Sequence, residues 1–580
     1  MLLLLLAAAL GWVLWRGRDA NETQSPQAYR AHPHGALTFN REIAPIIFQH
    51  CAECHRPGAP GPFSLLTFAD VAKRARQIAD VTRRRVMPPW LPEPGHVRFL
   101  EERGLSVDEL GMLQQWVAEG AREGDPAHLP APPAWPAGWR LGAPDLVLRM
   151  PAAYRLGADG PDIYRNFVVP TGLTNGHWVR AVEFQPGGRG VHHARVLLDD
   201  TGQCRKLADA EPGPGFGGWM PPARFPPGHF VTWTPGKKPV IVGDGLAWRL
   251  EAGADVVLQL HLQRSGKEEL IQPVLGFYFT NAPPTRAAFA VGLMARLLDI
   301  PAGAAAHSVR REFQVPVEVE VLRIMPHAHY LAQRLEAFAV LSNGSRRELL
   351  RINEWDFNWQ DEYRLATPVT LPAGTRVRTE FFYDNSAANP RNPHSPPQRV
   401  RHGPQSTDEM CELWLQVVVP GGADARAALA AAQRRADAGE AVAYFEQRAE
   451  ENPRDAGARM ELGKALGALG NPAAAKEQFT RALQVNPELP EAHYFLGLTL
   501  FNERDFAGAH ERFTAALARR PNYARAEHGL GLVALEKREW DAAERHLRRA
   551  RELDAFDPLP KLTLEKLARE RARAGAAPEK

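Results

Sequence analysis

The chain has 580 residues, 44% of them hydrophobic and 24% charged, and a formal net charge of +3. That length exceeds one core and predicts three or four domains. The small net charge gives no basis for nucleic-acid binding or an acidic substrate, and four cysteines exclude a disulfide framework for an exported chain of this size.

Residues 1–20 read as an export segment. The apolar run from Leu2 to Trp15 is short for a spanning helix and suits a signal-peptide core. No basic stretch precedes it and no clear A-x-A site follows, so it reads either as a cleaved signal or as a retained membrane anchor. Both readings predict export, to the periplasm or to a membrane-anchored position facing it.

Residues 36–125 form the first predicted domain, small and α-helical. It opens with "NREIAPIIFQHCAECH" and closes with "LSVDELGMLQQWVAEG", where Ser106 and Glu109 form a capping box and Leu110, Leu113 and Val117 share a face. "CAECH" places Cys51, Cys54 and His55 in the C-x-x-C-H arrangement. Two thiols at this spacing add across haem vinyl groups, and the adjacent imidazole reaches the iron. Zinc is the competing reading, but it wants two more cysteines nearby, and none follows. For a soft sixth ligand, Met87 stands in "RRRVMPPWLPEPG", a loop that two prolines hold extended; Met112 is the rival, within the closing helix pattern. The module resembles a small c-type cytochrome, which implies one covalently bound haem c on Cys51, Cys54, His55 and Met87.

A proline-rich linker covers 126–140. Residues 141–285 and 286–422 alternate short β runs with Gly/Pro/Asp turns, which predicts two β-sandwiches in series. Three histidine clusters stand out here: His192-His193, His261, and His327-x-His329. On a strand His327 and His329 share a face, about 7 Å apart at Cα, and converge on one ion. The adjacent pair His192-His193 needs a bulge or a strand end to do so, and "PGGRG" before it is consistent with one. Met325 shares the face of His327, but it lies about 13 Å from His329 along a straight strand. Met410, in "STDEMCELWLQVV", is a candidate thioether from another strand. Imidazole with thioether suits copper over zinc.

Residues 423–452 read as a helical linker. From 453 to 560, Pro453, Pro487 and Pro521 recur every 34 residues, as do Leu462-Gly463, Leu496-Gly497 and Leu530-Gly531. Ala475, Ala509 and Ala543 keep the register, as do Phe479, Phe513 and Leu547. This pattern resembles the tetratricopeptide repeat, an α-helical solenoid whose concave groove takes a peptide or partner protein. Pro558 falls out of register, so the array ends there.

The ordered set His-His, "LQLH", His-x-His and "DEMC" resembles the copper type II, ascorbate-dependent monooxygenases, of the peptidylglycine α-hydroxylating and dopamine β-monooxygenase kind. The resemblance covers about 141–420. It implies two jelly-roll-like copper domains, with His192, His193 and His261 on an electron-transferring copper and His327, His329 and Met410 on an oxygen-activating one. It also implies an ascorbate-like or other external reductant, O2, and a small-molecule or peptide substrate. Glu412 and Trp414 stand where the peptide hydroxylases carry Asn and Tyr, and Met325 stands where they carry a basic residue, with Arg323 out of step. These departures point away from peptide amidation. The expected function is an exported copper monooxygenase fed through its own haem. The alternative is a non-enzymatic haem and copper electron-transfer or copper-handling protein with a repeat docking arm.

Overall fold

The computed structural model describes residues 29–59, 61–136, 138–218, 221–243, 245–554 and 557–575. The predicted export segment lies outside them. Among the described residues no helix is long and apolar enough to cross a membrane. The chain divides into two compact units: residues 1–90 with 102–134, and residues 91–101 with 135–580.

The first unit is helical. A π-helical turn, Phe39–Ile43, leads into the helix Ala44–His50, and the helices Phe68–Ala72, Ala75–Arg83 and Val107–Ala118 follow. The last opens on the expected capping box: Ser106 accepts the Glu109 N–H, and the Glu109 carboxylate accepts the Ser106 N–H. Its buried stripe runs through Leu113 and Trp116, while Leu110 and Val117 are half-buried. Trp116 is drawn in because its indole N–H finds the Arg122 carbonyl at 2.9 Å while its ring meets Phe39.

The second unit begins with a β-rich region of several antiparallel sheets. One sheet pairs Leu146–Arg149, Val274–Thr280, His177–Gln185 and Trp248–Leu250 in that order. A five-stranded sheet runs Phe216–Gly217, Ile163–Pro170, Asp255–Leu262, Val191–Asp199, Thr232–Trp233. The two share one core, in which Val179, Phe277, Phe167, Val196, Leu258 and Leu260 meet. Each such side chain removed from water contributes about 1.5–3 kcal/mol. Asp255–Leu262 is buried along its whole length. Val256, Leu258, Leu260 and Leu262 supply the core, so Gln259 and His261 are enclosed on the opposite face.

The next two sheets follow the same logic. One orders Ala288–Met294, Glu412–Val418, Val319–His327 and Tyr363–Leu371; the other orders His307–Gln314, Arg376–Tyr383, Ala332–Val340 and Arg346–Ile352. Residues 91–101 belong to this unit: Pro92 bridges Ile352, Phe99 bridges Leu365, and Leu100 donates its N–H to the Arg364 carbonyl at 2.7 Å. Cys204 and Cys411 are both fully buried, Cys204 among Leu197, Phe216 and Val257.

The 29-residue helix Ala423–Glu451 then leads into six helices in pairs: Ala456–Ala468 with Pro472–Val485, Pro490–Asn502 with Phe506–Arg519, and Ala524–Glu536 with Trp540–Leu553. The 34-residue register has a steric cause. A Cβ on Gly463, Gly497 or Gly531 would come within 2.6, 2.9 and 2.7 Å of Phe479, Phe513 and Leu547. The Leu-Gly pair therefore lets the second helix of each pair approach its partner. The helix from Pro558 to Gly575 caps the array, with Leu567 in its core.

Candidate metal centres

The strands Val191–Asp199 and Asp255–Leu262 slip register between Val191 and His193. His193 stands opposite His261, and His192 is the extra residue of the bulge. That irregularity turns two adjacent imidazoles to one side. Nδ1 of His261 lies 3.2 Å from Nδ1 of His192 and 3.3 Å from Nδ1 of His193. Nitrogen donors on a tetrahedral ion about 2.0–2.1 Å away sit about 3.3–3.4 Å apart, so both distances from His261 match the edge of a coordination shell, and the three residues offer ligand atoms all within 4.8 Å of one another. The other nitrogen of His261, Nε2, is 2.9 Å from the Asp162 carboxylate. A carboxylate accepts, so the proton sits on Nε2 and the lone pair on Nδ1. Tyr164 stacks on this ring at 4.4 Å. Burial pushes His192 down to about 4 and His193 well below the usual range, and the His261 charge adds to both, so these rings stay neutral.

The second cluster is held differently. The strand Val319–His327 ends at its first histidine, and His329 follows beyond the strand. The two rings nevertheless stand 5.3 Å apart and nearly perpendicular. Nδ1 of His327 meets the Gln360 side-chain oxygen, and Nδ1 of His329 meets the Asp408 carbonyl at 3.0 Å. Both partners accept, so each ring carries its lone pair on Nε2. The Nε2 of His329 is buried and has no hydrogen-bond partner, an orphan that a metal ion would satisfy. Burial pushes His327 and His329 down to about 3. Met410 is 2% exposed. Its N–H and the His329 N–H donate to the same oxygen of Glu409, and the other oxygen takes the Leu331 N–H at 2.9 Å. One carboxylate thus ties the thioether-bearing residue to the histidine turn. Met325 instead lines a cavity with His193 and His327.

The clusters share a wall. The buried ring of Phe357 stands 5.8 Å from His192, 6.3 Å from His261 and 5.3 Å from His329. The arrangement offers two adjacent imidazole donor sets, one through Nδ1 and one through Nε2 beside a methionine.

In the first unit, the helix Ala44–His50 ends at Cys51, and the His55 N–H returns to the Cys51 carbonyl at 2.9 Å, closing a tight turn. Nδ1 of His55 meets the Phe63 carbonyl at 3.2 Å, which leaves the lone pair on Nε2. Gly61 closes the loop onto this turn; a Cβ there would lie 2.6 Å from the Cys54 carbonyl oxygen. Met87 is half-buried in the turn after Ala75–Arg83, with its N–H on the Val81 carbonyl. The donor types and the fixed histidine tautomer fit a haem of the c type.

Sequence patterns pointed to the clustered histidines but not to Asp162, Tyr164, Phe357 or Gln360, which reach the clusters from distant segments. Glu409 lay inside the "DEMC" stretch, where its acidic neighbour Asp408 gave it no distinction.

A family model described as tetratricopeptide repeat matches residues 460–509, and a second of the same description matches 500–567. The C-terminal helices are tetratricopeptide repeats, modules that mediate protein–protein interactions. No curated protein matches the chain. A solved structure titled "Crystal structure of MamA" is similar at 19% identity over 24% of this chain and 92% of its own, with a TM-score of 0.20.

Proposed function

We propose that this protein is an exported copper-dependent monooxygenase that inserts one atom of O2 into a substrate C–H bond, with electrons delivered through a fused c-type haem. The observation that carries this reading is the pair of unlike donor sets on either side of Phe357: three convergent Nδ1 atoms, and two Nε2 donors tied through Glu409 to a buried methionine. Imidazole with thioether suits copper, Cu(I) above all. Bound copper would supply one-electron storage at each cluster and the place where O2 is reduced.

The chain's own groups do the rest. His192, His193 and His261 would hold the electron-transferring ion, with Asp162 orienting His261. His327, His329 and Met410 would hold the oxygen-activating one, with Gln360 and the Asp408 carbonyl fixing the ring tautomers. Phe357, 1% exposed, packs against the rings of His192, His261 and His329 and so helps hold both sets in place. Cys51, Cys54, His55 and Met87 would hold the haem. The finer fold reading goes with this assignment: a cytochrome c-like helical domain and two tandem jelly-roll-like sandwiches ahead of the repeats. The antiparallel sheets around a shared core support it. Haem attachment of this kind and the apolar N-terminal run support a periplasmic or membrane-anchored location. An ascorbate-like or other external donor would reduce the haem.

Metal analysis with a haem spectrum should find two coppers and one haem per chain. The reduced protein should take up O2 in a screen of small molecules and peptides for gain of one oxygen atom. His327→Ala and Met410→Ala should abolish oxygen insertion while leaving copper on the first cluster. Full hydroxylation by either variant would overturn the assignment, and no O2 uptake with any substrate would favour the electron-relay reading.

A further inference from the structure

A cavity of about 90 Å³ is separate from the one beside His193 and His327, although Thr232 and Trp233 line both. Phe184, Trp233 and Trp248 supply apolar wall, and His229, Lys237, Arg323, Glu362 and Gln416 bring polar groups to it. Three of these are almost wholly enclosed: Gln416 is 2% exposed, His229 5%, and the Glu362 side chain 8%. Each carries an acceptor that meets no donor. Oε1 of Gln416, Nε2 of His229 and Oε2 of Glu362 are buried and have no hydrogen-bond partner. Native interiors seldom leave one such atom unmet, and three on the lining of one small space need a common cause.

The bonds each group does make fix which atom is left over. The Gln416 amide nitrogen donates to the Gly228 carbonyl at 2.7 Å, so its oxygen is the spare end. A Cβ on Gly228 would lie 2.2 Å from the Ala288 carbonyl, so the loop that carries His229 is pinned there, beside Gln416. Nδ1 of His229 lies 2.8 Å from the Pro227 carbonyl, which accepts; the proton therefore sits on Nδ1 and the lone pair on Nε2. Burial pushes this ring down to about 4, so it stays a neutral acceptor. Burial raises Glu362, but the Lys237 and Arg323 charges hold it below the usual carboxylate range. Both cations meet its Oε1, Arg323 at 2.7 Å and Lys237 at 3.2 Å, which leaves Oε2 over.

The lining thus calls for a donor, and charge decides which kind. Lys237 and Arg323 balance Glu362 and Asp361, and the exposed Lys238 adds a positive charge, so a further cation meets no net attraction. Size and valence decide the rest. A cavity of about 150 Å³ takes benzene, so one of about 90 Å³ takes about four heavy atoms. A hydroxyl supplies one hydrogen and an amide NH2 two, so an amide serves several acceptors better. We propose that this cavity binds the uncharged, NH2-bearing end of a small molecule of the primary amide or urea class, whose hydrogens meet Gln416, His229 and Glu362. The proposal does not rest on the monooxygenase reading.

The test is ligand-observed NMR titration of the full-length protein with three molecules of one shape: acetamide, acetone and acetamidinium. Acetamide should bind about tenfold more tightly than acetone, which lacks donors, and more tightly than acetamidinium, which is a cation. Urea should compete with acetamide. Gln416→Leu and His229→Leu should each weaken acetamide about tenfold, the effect of one lost hydrogen bond, and leave acetone unchanged. Equal binding of acetamide and acetone, or no binding of either, would overturn the proposal and leave the cavity to water. Tightest binding by acetamidinium, or a third tightly held metal ion that His229→Leu removes, would overturn it in favour of a cation site. Acetamide binding unchanged in both variants would place the amide elsewhere and overturn it too. Should the variants fail to fold, the order of the three molecules in the unmodified protein decides.

Discussion

Glu409 is a single side chain that ties His329 to Met410, two members of the proposed second donor set. Its carboxylate accepts from the N–H groups of His329, Met410 and Leu331. Burial pushes its pKa up to about 8, and these donors pull it back. In Glu409→Gln one oxygen becomes an NH2 that confronts backbone donors. Leaving buried donors unsatisfied costs about 1–3 kcal/mol. The expected outcome is a lower melting temperature together with weaker copper binding at the second cluster, measured by chelator competition, while the first cluster keeps its affinity. Equal weakening at both clusters would show that Glu409 merely supports the fold. Asp162 offers the matching case on the other side, because its shortest bond is to Nε2 of His261, with the Gln263 amide donating more weakly. Asp162→Asn should lower copper affinity at the first cluster by about 10–100-fold.

At the scale of elements, glycines record where chain segments approach closely. Gly497 faces the Phe513 ring, and a Cβ would lie 2.9 Å from it. Gly497→Ala should therefore destabilise the repeats by about 1–3 kcal/mol through overpacking. Hydrogen exchange should speed up in Pro490–Asn502 and Phe506–Arg519 and stay unchanged in the sheets. The register of that contact was legible in the sequence, since the repeat prints each glycine and its large apolar partner, Phe479, Phe513 or Leu547, at a constant offset. The bulge at His192 was legible too, because adjacent histidines cannot share a face on a regular strand. His-x-His gave the second cluster for the opposite reason, although His329 lies past the strand end. Asp162 and Gln360 were not legible. They stand 99 and 33 residues from the histidines they orient, and no local pattern distinguishes them from surface polar residues. The edge pairing of residues 91–101 was hidden likewise, because backbone hydrogen bonds to a distant strand leave no mark on side-chain choice. A further join is visible only in three dimensions. The Gln433 side chain bonds both the N–H and the carbonyl of Gly292, on whose open face the Trp414 ring rests. The helix leading into the repeats therefore braces a strand that backs the cavity wall.

For the molecule as a whole, the two clusters contribute strongly to how stability depends on pH in the metal-free state, beside His229, which burial also pushes down to about 4. His192 titrates near 4, His327 and His329 near 3, and His193 well below its ordinary value, all through burial. In the unfolded chain these imidazoles titrate near about 6.5. Between these limits the unfolded chain binds protons that the folded chain refuses, so stability falls as the pH drops below about 6.5. Glu409 acts with the opposite sign. Its folded pKa of about 8 lies above the unfolded value, so its contribution is lost as the pH rises through that range. Four imidazoles outweigh one carboxyl up to about pH 7, where the unfolded imidazoles are mostly neutral, and above it Glu409 is the larger of the two contributions. The metal-free protein should thus become more stable from pH 5 to about 7 and decline slightly towards pH 8. Copper at the proposed sites would keep the imidazoles neutral and compete with protons, so acid should release it over the same window. Thermal melts at half-unit pH steps, with and without copper, check this. Replacing His327 and His329 together by Asn should flatten the rising limb, and a rising limb unchanged by that replacement would place its origin outside the second cluster.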